Sequence, residues 1–287
     1  ILLSCSTTAF AGSWGKTDGS AWGKATSGQS AMAVGKRLSV GSPVVVGNTA
    51  VYPIIDREAR VQPEVDYVPL EAAMASGQIE VLEVNNGVVP RLQVINRGKD
   101  PVFAMVGDIV RGGRQDRVIT RDVVLPPNER PIALNVQCIE QGRWGHNGHF
   151  AYGGRVDTAF GDVIRHHRNQ DATWAAIAQR NAAAGIATDA SWLASATSSD
   201  VQSIRELEAS LKSRFQDDKR VIGVVVAHNG NFTRANVYPH PALFAQDRFR
   251  LLDSHLRQPR PTVTRRAIPS TTDAAAFLEE FLGDDNG

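Results

Sequence analysis

Apolar residues in the first part of the chain fall in short runs rather than long stripes. Val44-Val45-Val46 and Val51-Tyr52-Pro53-Ile54-Ile55 are split by Gly47-Asn48 and predict two short strands. Pro69 opens a short helix over Leu70 to Ala75 that ends at Gly77. Ile79 to Val84 and Arg91 to Ile95 flank Asn85-Asn86-Gly87, the pattern of a hairpin. Pro101 to Val106, Val118 to Leu125 and Pro131 to Ile139 continue the run of β segments. Strands in succession without intervening helices predict an antiparallel sheet, sandwich or barrel.

The pattern changes after Trp144. Gly145 to Gly154 reads as a Gly, His and aromatic loop. Helical spacing then dominates, over Ala172 to Ala184 and over Ser199 to Phe215, where Val201, Ile204, Leu207 and Leu211 make one stripe. Val221 to Ala227 and Phe232 to Tyr238 close on Asn229-Gly230 as a second hairpin. Both faces of its first strand are apolar, which predicts a central position in a sheet. Leu243 to Leu256 and Ala274 to Leu282 predict two amphipathic helices, the last capped by Thr272 and Gly283, with a Pro- and Arg-rich strap over Gln258 to Pro269 between them. The predicted class is α+β: an antiparallel β-rich N-terminal half, sandwich or barrel-like, and a helix-rich C-terminal half containing a central β-hairpin.

The N-terminal residues carry a different signal. Leu2-Leu3-Ser4-Cys5 has the order of a bacterial lipoprotein signal, and Ala9-Phe10-Ala11 before Gly12 has that of an ordinary secretory cleavage site. Both imply export, as a periplasmic, lipid-anchored or secreted protein. Residues 1–11 are read as a signal remnant, 12–36 as a flexible Gly, Ser and Trp tether, and 37–283 as a single α+β domain. The tether repeats Ser13-Trp14-Gly15-Lys16 as Ala21-Trp22-Gly23-Lys24 and lacks aliphatic residues to bury. Gly15-Lys16-Thr17 is not a phosphate loop, because Phe10 stands where that motif needs glycine.

Composition narrows the function classes. The 31 Lys and Arg against 30 Asp and Glu give no electrostatic footprint for nucleic acid or an anionic membrane. Membrane contact is expected only through a lipid on Cys5. The two cysteines, Cys5 and Cys138, make no disulfide framework. His146, His149, His166 and His167 do not have zinc-site spacing, so no metal site is predicted.

Polar residues concentrate in Gly107-Asp108-Ile109-Val110-Arg111-Gly112-Gly113-Arg114-Gln115-Asp116-Arg117. The paired glycines permit unusual backbone and leave amides approachable. Arg111, Arg114 and Arg117 supply planar forks for phosphate or carboxylate, with Gly112, Gly113, Gln115, Asp116 and Arg143 beside them as candidate ligand-binding residues. The competing reading makes Asp108, Asp116 and Asp122 the partners of these arginines in a structural network. Alternation along the next strand puts Leu134, Val136, Cys138 and Glu140 on one face. Glu140 is then either half of a buried pair, with Arg143 or an arginine of the first segment, or a general acid or base. Glu140 and Asp108 are the catalytic candidates. Cys138 reads as core rather than nucleophile.

These segments resemble one known family, the ARG and rhodanese-phosphatase-superfamily-associated proteins, ARG standing for ADP-ribosylglycohydrolase. Pro69-Leu70-Glu71-Ala72-Ala73 with Gly77, the Gly107-Asp108 to Arg117 run, and Cys138, Glu140, Gly142, Arg143 and Trp144 carry the resemblance, over about Val51 to Leu282. Arg114 and Asp116 stand where the family often has Lys and Asn. The resemblance implies genomic company with ADP-ribose and phosphatase proteins, not a reaction or cofactor. The reading is therefore an exported binding module for a small anionic, phosphate- or ribose-bearing ligand. A hydrolase of a phosphate or ADP-ribose-type substrate and a structural envelope protein are the alternatives.

Overall fold

The computed structural model describes residues 3–4, 37–59, 66–84, 90–142, 145, 147–167, 169–187, 191–196, 209–210, 219–257 and 267–283. The expected tether, Cys5, Arg143, the hairpin turn at 85–87, nearly all of the helix expected over 199–215 and most of the strap at 258–269 lie outside the described residues. The fold is α+β, with many antiparallel strands and, among the described residues, six helices. The interval 37–283 holds parts of two compact units. One comprises residues 1–63, 202–248 and 261–287, and the other 64–201 and 249–260.

In the first unit a six-stranded sheet forms a half-barrel. Its members are β1 (Leu3–Ser4), β2 (Leu38–Val40), β3 (Val44–Val46), β4 (Thr49–Asp56), β14 (Val221–His228) and β15 (Asn231–Val237). β14 is buried along seven of its eight residues because it lies between β15 and β4, both antiparallel to it. Gly223 is needed there, since a Cβ would strike the carbonyl oxygen of Asn236 on β15. The C-terminal helix α6 (Thr271–Gly283) packs Ala274 and Leu278 against Tyr52, Ile54, Ala235 and Val237. Its cap is Ser270 rather than the expected Thr272. Ser270 Oγ accepts from the Asp273 amide at 3.1 Å while Asp273 Oδ2 accepts from the Ser270 amide at 2.9 Å, a reciprocal capping box.

The second unit holds the site. Six strands run in the order β13 (Asn147–Arg155), β9 (Asp108–Gly113), β10 (Arg117–Ile119), β12 (Ile132–Cys138), β7 (Arg91–Asn96) and β6 (Ile79–Glu83). β13 returns against β6, so the sheet nearly closes into a barrel. A smaller sheet joins β5 (Val68–Pro69), β8 (Val102–Ala104) and β11 (Val123–Leu125). Leu92, Val94, Val110, Ile119, Leu134 and Val136 fill the inner face with Leu70 and Ala73 of α1 (Leu70–Ala75). The outer face carries Ile109, Val118 and Ile139 under α2 (Thr158–His167), α3 (Gln170–Ala183) and α4 (Trp192–Ala196), which contribute Phe160, Ile164, Ile177 and Trp192. The remaining helix, α5 (Pro241–Leu256), follows the β14–β15 hairpin.

Three expectations are corrected here. The polar run 107–117, whose paired glycines predict an anion-binding turn, is instead strand β9, a three-residue connection and the start of β10. Val118 to Leu125 is not one strand, because Asp122 takes the Val106 amide at 2.8 Å and sends β11 into the smaller sheet. Residues 147–155 are strand, not loop, and pair with β9 across two register shifts.

Candidate functional site

Register decides which of the singled-out side chains meet. Arg117 pairs with Val110 on one side and Cys138 on the other, and Tyr152 pairs with Val110. Successive strand residues point to opposite faces, so Arg117 shares the inner face with Ile119, and Cys138 shares it with Val136 and Leu134. The guanidinium of Arg117 is 0% exposed. Its Nη1 donates to Gln115 Oε1 at 3.3 Å, while Nε and Nη2 have no hydrogen-bond partner among the described residues.

Gln115 holds two groups at once, since its Oε1 also accepts from the Cys138 thiol. The thiol is buried, and burial pushes its pKa up from 9.0 to about 11. Arg117 opposes that shift, and the charges of Glu83 and Glu140 reinforce it. A thiol with its folded pKa above its unfolded one adds stability that is complete below pH 9 and is lost as pH rises through about 11. Chemical denaturation of the parent and Cys138→Ala between pH 8 and 11.5 should therefore show the parent losing about 2 kcal/mol more than the variant.

Glu83 joins from the end of β6. Ile79 and Val81 belong to the inner core, so alternation carries Glu83 inward as well. Glu83 Oε1 accepts from the Arg114 amide at 2.9 Å, and Oε2 is buried without a partner. The turn that brings this amide in depends on Gly112 and Gly113, with φ of +123° and +56°. A Cβ at Gly112 would collide with the carbonyl oxygen of His149, and one at Gly113 with the Phe150 ring. Close approach of β13 is what these glycines serve.

The other predicted residues sit apart from this cluster. Asp108 is 2% exposed and accepts from the Met105 amide at 2.8 Å, Tyr152 Oη at 3.0 Å and Arg155 Nε at 2.8 Å. Arg155 itself is buried, making this a closed ion pair. Asp116 is buried, accepts from the Gly112 amide at 3.0 Å and lies 3.4 Å from Nε of the exposed Arg111. Arg114 is half-buried, with its amide committed to Glu83. β12 ends at Cys138, so Glu140 follows the strand, is half-buried and forms one antiparallel bridge with Ser191. Among the described residues no group of three or more His, Cys, Asp or Glu is arranged to hold a metal ion.

Two residues escaped sequence reasoning, and only the first carried a signal that could have found it. Glu83 follows Ile79 and Val81 at strand spacing, the same alternation that singled out Glu140. Arg155 has no comparable signal, because its strand is rich in glycine.

The model of the ARG and Rhodanese-Phosphatase-superfamily-associated Protein domain matches residues 37–286. Neither the curated proteins nor the solved structures hold a match to the chain.

Proposed function

Since the chain belongs to the ARG and Rhodanese-Phosphatase-superfamily-associated Protein family, we propose that it is an exported binding module whose ligand carries a phosphate and a hydroxyl-bearing group such as ribose. One observation carries this: Arg117 is fully buried, and the two donors left unmet are Nε and Nη2. These form the edge of the guanidinium that grips a phosphate or carboxylate with two parallel hydrogen bonds. A buried cation without a counter-charge costs several kcal/mol, which folding alone gives no reason to retain. Glu83 Oε2 is the complementary signal, a buried acceptor in need of a donor such as a hydroxyl. Gln115 fixes Arg117, and the Cys138 thiol fixes Gln115. In this reading the β-rich part of the chain up to Arg155 carries the site, and the helices after it buttress the outer face.

The donor edge is buried, so entry of the ligand requires a local opening, and association should be slower than diffusion. Calorimetric titration with inorganic phosphate, ribose 5-phosphate and ADP-ribose tests the proposal. The parent should bind at least one of them, and Arg117→Met should bind none. Binding retained by Arg117→Met would end the proposal. Burial of Asp108 and Asp116 favours a second reading for their part of the segment, as framework rather than site. Export is read out separately: if Leu2-Leu3-Ser4-Cys5 is a lipoprotein signal, Cys5→Ala abolishes lipid labelling in cells. Persistent labelling would exclude that version.

A further inference from the structure

A second feature lies on the outer side of the same sheet, where β12 runs on past the start of β7. β7 pairs with β12 only as far as Asn135, opposite Arg91. Beyond it the Val136 amide turns to the Pro90 carbonyl at 3.2 Å. At Cys138 the side-chain amide of Gln170 replaces a neighbouring strand, accepting from the backbone N–H at 2.8 Å and donating to the carbonyl at 2.8 Å. Thr173 donates to Gln137 Oε1 at 2.7 Å and so pins the next turn of α3. The gap left between α3 and these strands is an open groove of about 620 Å³. Its size suits an organic molecule rather than a single ion.

The lining has three parts. Pro90 and Trp174 are apolar, and Trp174 presents a buried Nε1 donor with no partner among the described residues. Arg121 is exposed at one wall, and with the Asn135 amide turned to face it, its Nε donates to the amide oxygen at 3.2 Å. Asp171, exposed on the first turn of α3, lies one turn before Trp174 and shares its side of the helix. Arg121 and Asp171 line one groove with opposite charges and form no ion pair with each other.

We infer that this groove binds a short zwitterionic peptide carrying an apolar side chain. The peptide's carboxylate meets Arg121, its ammonium meets Asp171, and its side chain lies against Trp174 and Pro90. A ligand with one charge alone would leave the other wall unanswered, and a neutral one would answer neither. The site is separate from the one proposed at Arg117 and does not depend on it.

Calorimetric titration of the full chain with the dipeptide alanyl-phenylalanine tests it. Saturable binding is expected. N-acetylation or C-terminal amidation of the dipeptide should each weaken it roughly tenfold or more, as loss of a charged hydrogen-bonded contact does. Arg121→Ala and Asp171→Asn change exposed side chains, so both variants should fold. The first should weaken the free dipeptide but not further weaken the amidated one, and the second should do the same for the acetylated one. Absence of binding, equal binding of the capped dipeptides, or parental affinity in both variants would overturn the inference.

Discussion

Exchange of Asp108 for asparagine is expected to cost about 3–5 kcal/mol of folding stability. The carboxylate is 2% exposed and accepts from the Met105 amide, Tyr152 Oη and the buried guanidinium of Arg155. Asparagine preserves the size, so no cavity opens. What it removes is the negative charge that the buried guanidinium of Arg155 faces at 2.8 Å. Denaturant unfolding of Asp108→Asn beside the parent measures the effect. A loss under about 1 kcal/mol, the range of an exposed pair, would show that the pair is not sealed.

Arg117 should behave in the opposite way. Arg117→Met is expected to raise the stability of the ligand-free protein by about 1–4 kcal/mol, the range seen when buried charge gives way to well-packed apolar groups. Two features decide the sign. Among the described residues no carboxylate lies within ion-pair distance of the guanidinium, so its removal strands no partner there. Gln115 Oε1 also keeps the Cys138 thiol as its donor, so no buried acceptor is orphaned. A residue that destabilises the fold it sits in is the pattern expected of a functional position.

The contrast between these two residues marks how far the sequence could be read. The strands β3, β4, β6, β7 and β12, the β14–β15 hairpin, the central place of β14 and the α+β class follow from alternation and turn residues. Family membership follows from motifs at fixed spacing. The segment 107–117 could be picked out but not resolved, because its three arginines, with Asp108 and Asp116 inside it and Asp122 just beyond, allow many pairings. Only the register of β10 between β9 and β12 turns Arg117 inward, while Arg111 is left exposed on β9. The partner that Asp108 takes, Arg155, lies 47 residues along the chain.

The glycines of β13 misled for a physical reason. Gly153 was read as a mark of a loop, yet a Cβ there would strike the stem of Arg111 and Ile109 on the neighbouring strand. Likewise Gly112 yields room for the backbone of His149. Glycine in these strands records close approach across the sheet, which local sequence cannot separate from flexibility. The groove beside α3 was equally hidden, since Arg121, Asp171 and Trp174 come from separate segments and carry no shared motif.

The most direct test compares thermal unfolding of the parent and Arg117→Met, each with and without saturating ribose 5-phosphate. Occupancy of a native-state site stabilises the protein that binds and leaves the non-binder unmoved. A more stable ligand-free variant is expected, together with a ligand-induced rise in melting temperature that the parent shows and the variant lacks. A variant less stable than the parent, with no response to ligand in either protein, would contradict it and make Arg117 part of the framework.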